Sequence, residues 1–260
     1  MRDFADVTRE FRSRVLAREK LLGIFVKNPD FTSVEILGAR TELDFIILDL
    51  EHSSFTFREV QSCILAARSY SLPVLVRVSS SNSEYIGQSL DGGVSGIMFP
   101  KVSTPDEAAK LVARTRFENG ARGFSLSHRA AGYGAMTQEQ FLRHNDSGLL
   151  RAVQIEDVEG VANTESIAMT DGVDLIFVGP ADLAVSISAN GSYSTDIESE
   201  TDKIIDGAAL ADTAAGIFLP NFKNLERYIG LGFTFFVMST DQQILSAGAN
   251  SLATEFKKFT

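Results

Sequence analysis

Eight short apolar runs recur along the chain, and each leads into a stretch with helical spacing. The runs are LLGIFV (21–26), DFIILD (44–49), PVLVRV (73–78), VSGIMFP (94–100), LLRAVQIE (149–156), VDLIFVGP (173–180), AAGIFLP (214–220) and FTFFVMS (233–239). They are continuously hydrophobic rather than alternating, as expected of parallel strands covered on both faces. Helices are expected over 4–18, over FTSVEILGAR with Gly38 as a stop, and over 55–70, 83–91, 104–115, 137–144, 160–169, 197–211, 222–230 and 241–259. The clearest start is Thr104-Pro105-Asp106-Glu107, with an N-cap Thr, Pro at the first helical position and a carboxylate at the third. Eight strand–helix units in a chain of 260 residues is the arithmetic of a (β/α)8 TIM barrel, here one α/β domain over 1–260 with an added N-terminal helix. A doubly wound open sheet is the alternative. It usually carries a Gly-rich phosphate loop after its first strand, and here that position reads VKNPDF. Two segments read as loops: 117–148, which includes NGARGFSLSHRAAGYGA and is too long to be an idle connection, and 184–196.

Charge removes several function classes. The net charge is -10, with no basic surplus to neutralise phosphates, which argues against nucleic acid and against an anionic membrane surface. No apolar run approaches the roughly 18 residues of a membrane span. The charged N-terminus lacks the apolar core of a signal peptide, so the protein is read as cytoplasmic. A single cysteine, Cys63, excludes an internal disulfide framework. It shares helical spacing with Val60, Ile64 and Ala67 and is expected to be a buried, inert thiol.

In a barrel, chemistry collects at the C-terminal ends of the strands. Here those ends offer Asp49, Glu51 and His52, then Arg77, Lys101, Gln154 and Glu156, then Gly179, Pro180, Ala181 and Asp182, and finally Ser239 with Asp241. Glu156 and Asp182 end adjacent strands. Two carboxylates plus waters suit a hard divalent cation such as Mg²⁺ or Mn²⁺, although either acid would also serve as a first-turn helix residue. His52 follows Asp49 by three residues, so the carboxylate is expected to bond one imidazole nitrogen and leave the other to move a proton. The alternative is a histidine satisfied by backbone. The other two histidines, His128 and His144, read as solvent-facing. Arg77 would stabilise charge on an enolate or carboxylate oxygen, or form an internal ion pair with Asp49 or Glu51. Schiff-base chemistry at Lys101 is a weaker reading.

Together, DFIILDLEH, PVLVRV, GIMFPKVSTPDEA, ARGFSLSHRAAGYG, VQIED, GVDLIFVGPADL, GIFLP and FFVMSTDQ resemble the HpcH/HpaI family of metal-dependent (class II) pyruvate aldolases, over about residues 20–245. The resemblance implies a divalent metal, Mg²⁺ or Mn²⁺ with Co²⁺ as a further candidate, held by Glu156 and Asp182. It implies a 2-oxo acid bound through its carboxylate and ketone oxygens, with Arg77 on the enolate oxygen. It implies that His52, oriented by Asp49, is the base for the aldol hydroxyl, acting through a metal-bound water. Gln154 would contact the metal-site waters or the substrate. Backbone N–H groups around Gly179 to Asp182 would hold the carboxylate, and Glu51 would support metal-bound water. It further implies homo-oligomers, hexamers built from dimers that exchange the C-terminal helix. Four departures bear on the aldehyde acceptor: Ser53-Ser54 after EH, SSSNSE after the third strand, Lys101 where Met, His or Gln is usual, and AVSIS after ADL.

The expected activity is cleavage or formation of a 4-hydroxy-2-oxo acid through a pyruvate enolate, with a small 2-oxo acid and an aldehyde as partners. Oxaloacetate decarboxylation or an enolate condensation of secondary metabolism would use the same site. An acyl-CoA lyase lacks a basic patch for the CoA phosphates. A silent 2-oxo-acid sensor sits poorly with a complete set of Asp49, His52, Arg77, Glu156 and Asp182.

Overall fold

The computed structural model describes residues 4–79, 84–189 and 197–259. Eight parallel strands close into a barrel in the order β1 to β8, with β8 pairing back onto β1. They are β1 Leu21–Val26, β2 Phe45–Asp49, β3 Val74–Arg77, β4 Gly96–Phe99, β5 Leu150–Ile155, β6 Leu175–Val178, β7 Ala214–Leu219 and β8 Phe235–Thr240. Each expected strand is present and the open-sheet alternative is excluded.

Strand side chains alternate between faces, and two apolar layers follow from this. Ile46, Leu48, Val74, Val76, Ile97 and Phe99 face outward into the layer beneath the helices. Phe45, Ile47, Leu75, Met98, Ala152, Phe177 and Phe235 face inward and fill the barrel. Phe45 and Phe235 stack there with ring centroids 4.1 Å apart. Helix α1 (Phe4–Leu16) closes the N-terminal end by setting Phe11 and Val15 into that interior layer. The same alternation continues to the mouth. Asp49 has the parity of Phe45 and Ile47, Arg77 that of Leu75, and Gln154 and Glu156 that of Ala152. The period of two therefore aims these side chains into the open end of the barrel.

The outer helices follow their local signals. Helix α2 (Phe31–Arg40) starts at Asp30, whose carboxylate accepts from the Thr32 and Ser33 amides. It runs through Gly38 rather than stopping there; a Cβ at Gly38 would lie 2.7 Å from Tyr70 Cβ at the end of the neighbouring helix, so the glycine serves close packing. Capping boxes open α3 (Phe57–Ser69) with Thr56 and Glu59 and α5 (Pro105–Ala113) with Thr104 and Glu107. Helix α4 spans Glu84–Gly92.

Three further expectations require correction. The 117–148 segment is partly ordered by a 3₁₀ turn at Arg129–Gly134 and by α6, which runs to Gly148 rather than ending at His144. The expected 160–169 helix is two short ones, α7 (Val158–Ala162) and α8 (Thr164–Ala168), broken at Asn163. The segment after ADL is helical as far as Ala189, in α9 (Pro180–Ala189), where Pro180 and Asp182 supply the helix start and the burial of Leu183 and Ile187 carries the helix through AVSIS. Residues 190–196 of that expected loop, and 80–83 of SSSNSE, lie outside the described residues. The chain finishes with α10 (Ile197–Leu210), α11 (Leu225–Leu231) and α12 (Asp241–Phe256). Helix α12 buries none of its side chains and exposes Ile244, Leu245, Leu252 and Phe256. Among the described residues, no helix is long and apolar enough to cross a membrane.

Candidate active site

At the C-terminal mouth, His52, Arg77, Gln154, Glu156, Gly179, Pro180, Ala181 and Asp182 line one cavity of about 140 Å³. That is well below the roughly 300 Å³ at which drug-sized ligand sites begin. Phe25, Lys27, Phe218 and Thr240 complete its wall. Lys27 and Thr240 end β1 and β8, so the strand-end rule that flagged the others reaches them as well.

Asp49 is fully buried and takes the Arg77 guanidinium side-on, with Nε donating to Oδ1 at 2.9 Å and Nη2 to Oδ2 at 2.7 Å. The Lys27 ammonium is 3.4 Å from the same carboxylate. Burial pushes the Asp49 carboxyl up, but the Arg77 hydrogen bonds and charge, aided by Lys27, reverse this and hold it below its ordinary value. The guanidinium also lies over the Phe25 ring, 4.5 Å from its centroid. The ion-pair reading of Arg77 is thus seen directly, and the side chain still lines the cavity.

The expected Asp49–His52 dyad is not formed. Asp49 Oδ1 accepts from the backbone amides of Glu51 (3.1 Å) and His52 (3.3 Å), closing an Asx turn. The Ser53 hydroxyl donates to the Asp49 carbonyl and tightens that turn. With its carboxylate filled by Arg77 and amides, Asp49 has no room for the imidazole. The acid nearest the ring is Glu51, whose Oε2 lies 3.9 Å from His52 Nε2. The imidazole is 48% exposed and stays accessible to the cavity. Of the remaining histidines, His128 is not solvent-facing. Its side chain is only 13% exposed and lies 3.3 Å from Asp91, with burial holding its pKa low.

Glu51 sits at the centre of a charged knot. Its Oε1 is 3.1 Å from Lys101 Nζ, and its Oε2 is 3.5 Å from Arg77 Nη1 and has no hydrogen-bond partner although buried. Glu156 is nine-tenths buried and accepts from the Lys101 backbone N–H at 3.0 Å and from Gln154 Nε2 at 3.1 Å. Burial, then the fields of Glu51 and Asp182, push its carboxyl up to about 7. Gln154 Oε1 is buried and unpartnered. A Cβ at Gly179 would lie 2.3 Å from Glu156 Oε1, so only glycine leaves space for that carboxylate. The Gly179 N–H donates to the Ile155 carbonyl at 3.2 Å, and Pro180 has no N–H. Of the four residues expected to hold a carboxylate by backbone, Ala181 and Asp182 alone have amides to offer.

No group of three His, Cys, Asp or Glu side chains forms a metal cage among the described residues. Two carboxylates and an amide oxygen are nonetheless what Mg²⁺ commonly takes, the remaining positions going to water and substrate. An orphaned Gln154 oxygen, an electrostatically crowded Glu156 and a Cβ-free cradle at Gly179 fit a cation between Glu156 and Asp182.

The HpcH/HpaI aldolase/citrate lyase family model matches residues 21–247. The chain belongs to the HpcH/HpaI family. It is 33% identical over 242 residues to a hydroxypyruvate/pyruvate aldolase of Paraburkholderia phytofirmans, covering 90% of this chain and 92% of the relative. It is 32% identical over 251 residues to a 5-keto-4-deoxy-D-glucarate aldolase of Shigella boydii, covering 96% of each. The crystal structure of an HpcH/HpaI aldolase/citrate lyase family protein from Burkholderia cenocepacia superposes with a TM-score of 0.88 at 30% identity, covering 96% of this chain and 99% of that one. These relatives support assignment of the chain as a lyase of the family.

Proposed function

We propose that this HpcH/HpaI chain is a divalent-metal-dependent pyruvate aldolase that cleaves or forms 4-hydroxy-2-oxo acids. The observation that carries the reading is the convergence of Glu156, Asp182, Gln154 and Arg77 on one small cavity. Glu156, Asp182 and the Gln154 oxygen would hold Mg²⁺ or Mn²⁺. A bound divalent ion would supply Lewis-acid polarisation of the substrate ketone.

The chain's own groups account for the rest. Arg77, clamped by Asp49, presents its remaining N–H edge to the oxygen on which charge develops. The free amides of Ala181 and Asp182 in the first turn of α9 receive the substrate carboxylate, where the helix dipole favours an anion. His52 takes the proton of the 4-hydroxyl as the C3–C4 bond breaks, and the bond electrons pass to the ketone oxygen as an enolate. A proton from solvent at C3 then gives pyruvate, the other fragment leaves as an aldehyde, and His52 releases its proton to solvent. Glu51 stands beside His52 and Arg77 rather than on the substrate. The apolar, unburied α12 supports a homo-oligomer in which this helix is covered by another subunit.

The test is deuterium exchange into the pyruvate methyl group, followed by NMR with metal-loaded protein. Exchange that EDTA abolishes and Glu156→Ala removes is the expected outcome. Absence of exchange with every divalent metal tried overturns the reading.

A further inference from the structure

Lys101 follows Pro100 at the end of β4 and has φ of 55°. The left-handed region costs a non-glycine residue free energy and persists where the surroundings over-determine it, often at functional sites. Here two contacts hold it. The backbone N–H of Lys101 donates to Glu156 Oε2 at 3.0 Å, and its ammonium lies 3.1 Å from Glu51 Oε1. The negative fields of Asp182 and Glu156 act on the same ammonium. One strained residue thus joins the acid proposed to hold the metal to the acid beside His52.

The charge count at the mouth gives this a consequence. Four carboxylates (Asp49, Glu51, Glu156 and Asp182) face three fixed cations, Lys27, Arg77 and Lys101. A divalent ion entering alone would tip the site to net positive charge. One that enters with a singly charged 2-oxo acid would leave it balanced.

We propose that Lys101 is a built-in counter-charge that couples the two ligands, so that the divalent ion binds weakly alone and tightly together with the 2-oxo acid. The inference rests on the metal-dependent reading above. It concerns a side chain that the proposed chemistry does not otherwise use. The plain alternative is a rim ion pair between Lys101 and Glu51 with no effect on either ligand.

Mn²⁺ titration of the full chain, read from the free-ion EPR signal, separates the two without relying on turnover. Oxamate serves as a non-reacting analogue of a 2-oxo acid. Wild type is expected to bind Mn²⁺ at least about tenfold more tightly with saturating oxamate, a coupling of ordinary allosteric size. Lys101→Met and Lys101→Gln are expected to bind Mn²⁺ alone more tightly than wild type, by about tenfold, and to lose most of the oxamate effect. Lys101→Arg, which keeps the charge, is expected to restore both. Thermal melts identify any variant that fails to fold, and the second neutral variant then carries the comparison. Equal Mn²⁺ affinity in wild type and the neutral variants overturns the role of Lys101 alone. Absence of Mn²⁺ binding in every protein overturns this inference and the metal-dependent reading together.

Discussion

Asp49 and Arg77 form a two-point hydrogen-bonded pair at 2.9 and 2.7 Å, with the carboxylate fully buried and β2 and β3 in register at these two residues. The pairing fixes the guanidinium plane, which a lone arginine at a strand end would not do. It also turns the Asp49 carboxylate to the guanidinium and the Glu51 and His52 amides rather than to the His52 imidazole.

Asp49→Asn is expected to destabilise the protein by about 3 kcal/mol, because it leaves a buried guanidinium without its counter-charge. Urea unfolding measures this. The pH dependence has a definite sign. A carboxyl held below its unfolded value of 3.8 contributes stability that is fully present above that pH and is lost as pH falls through the folded value. Wild type should therefore lose this contribution on the acid limb, whereas Asp49→Asn should lack that component. Parallel acid limbs in the two proteins would refute the assignment.

Gly179→Ala places a methyl group 2.3 Å from Glu156 Oε1 and 2.7 Å from its Cγ. The carboxylate must swing away. Mn²⁺ affinity is expected to fall by about tenfold or more, the scale seen when the surroundings of a metal ligand are disturbed. Calorimetric titration checks this, and unchanged affinity would show that Glu156 is not a ligand.

Cys63 is buried in α3, and desolvation, with the fields of Asp30, Glu59 and Asp241, pushes its thiol up to about 12. The native protein should not react with a thiol reagent at mildly alkaline pH, and one equivalent should react after unfolding in guanidinium. Stoichiometric labelling of the folded protein would contradict the burial.

Leu252 and Phe256 are 75% and 68% exposed on α12. Replacing both by aspartate should leave the barrel's thermal stability nearly unchanged and reduce the size of the species seen by light scattering. A monomeric wild type, or an assembly indifferent to the substitution, would exclude α12 as the subunit contact.

Much of the barrel was legible because parallel strands buried on both faces leave an unmistakable apolar run. The capping box at Thr104 and Glu107 marked its helix start for the same local reason. The first turn of α9 was signalled by Pro180 and Asp182, but the serines and β-branched residues after it have weak helix propensity, and tertiary packing of Leu183 and Ile187 decides the matter. At the site, strand ends named residues that the fold gathers at one mouth, whereas pairwise geometry was beyond reach. A spacing of three brought the His52 backbone amide to Asp49, not its imidazole. Lys27 stands at a strand end and was within reach of the same rule, whereas the Lys101–Glu51 contact joins two separate strand ends and no local pattern announces it.

The first residue of α12 reaches back to the backbone just after β1. Asp241 accepts from the Lys27 and Asn28 amides at 2.9 and 3.0 Å, and the Lys27 ammonium in turn lies beside Asp49. A helix with no buried side chain is thus tied to the same residue that touches the fully buried Asp49. A subunit seated on α12 would therefore have a mechanical route, through Asp241 and Lys27, to the Arg77 clamp.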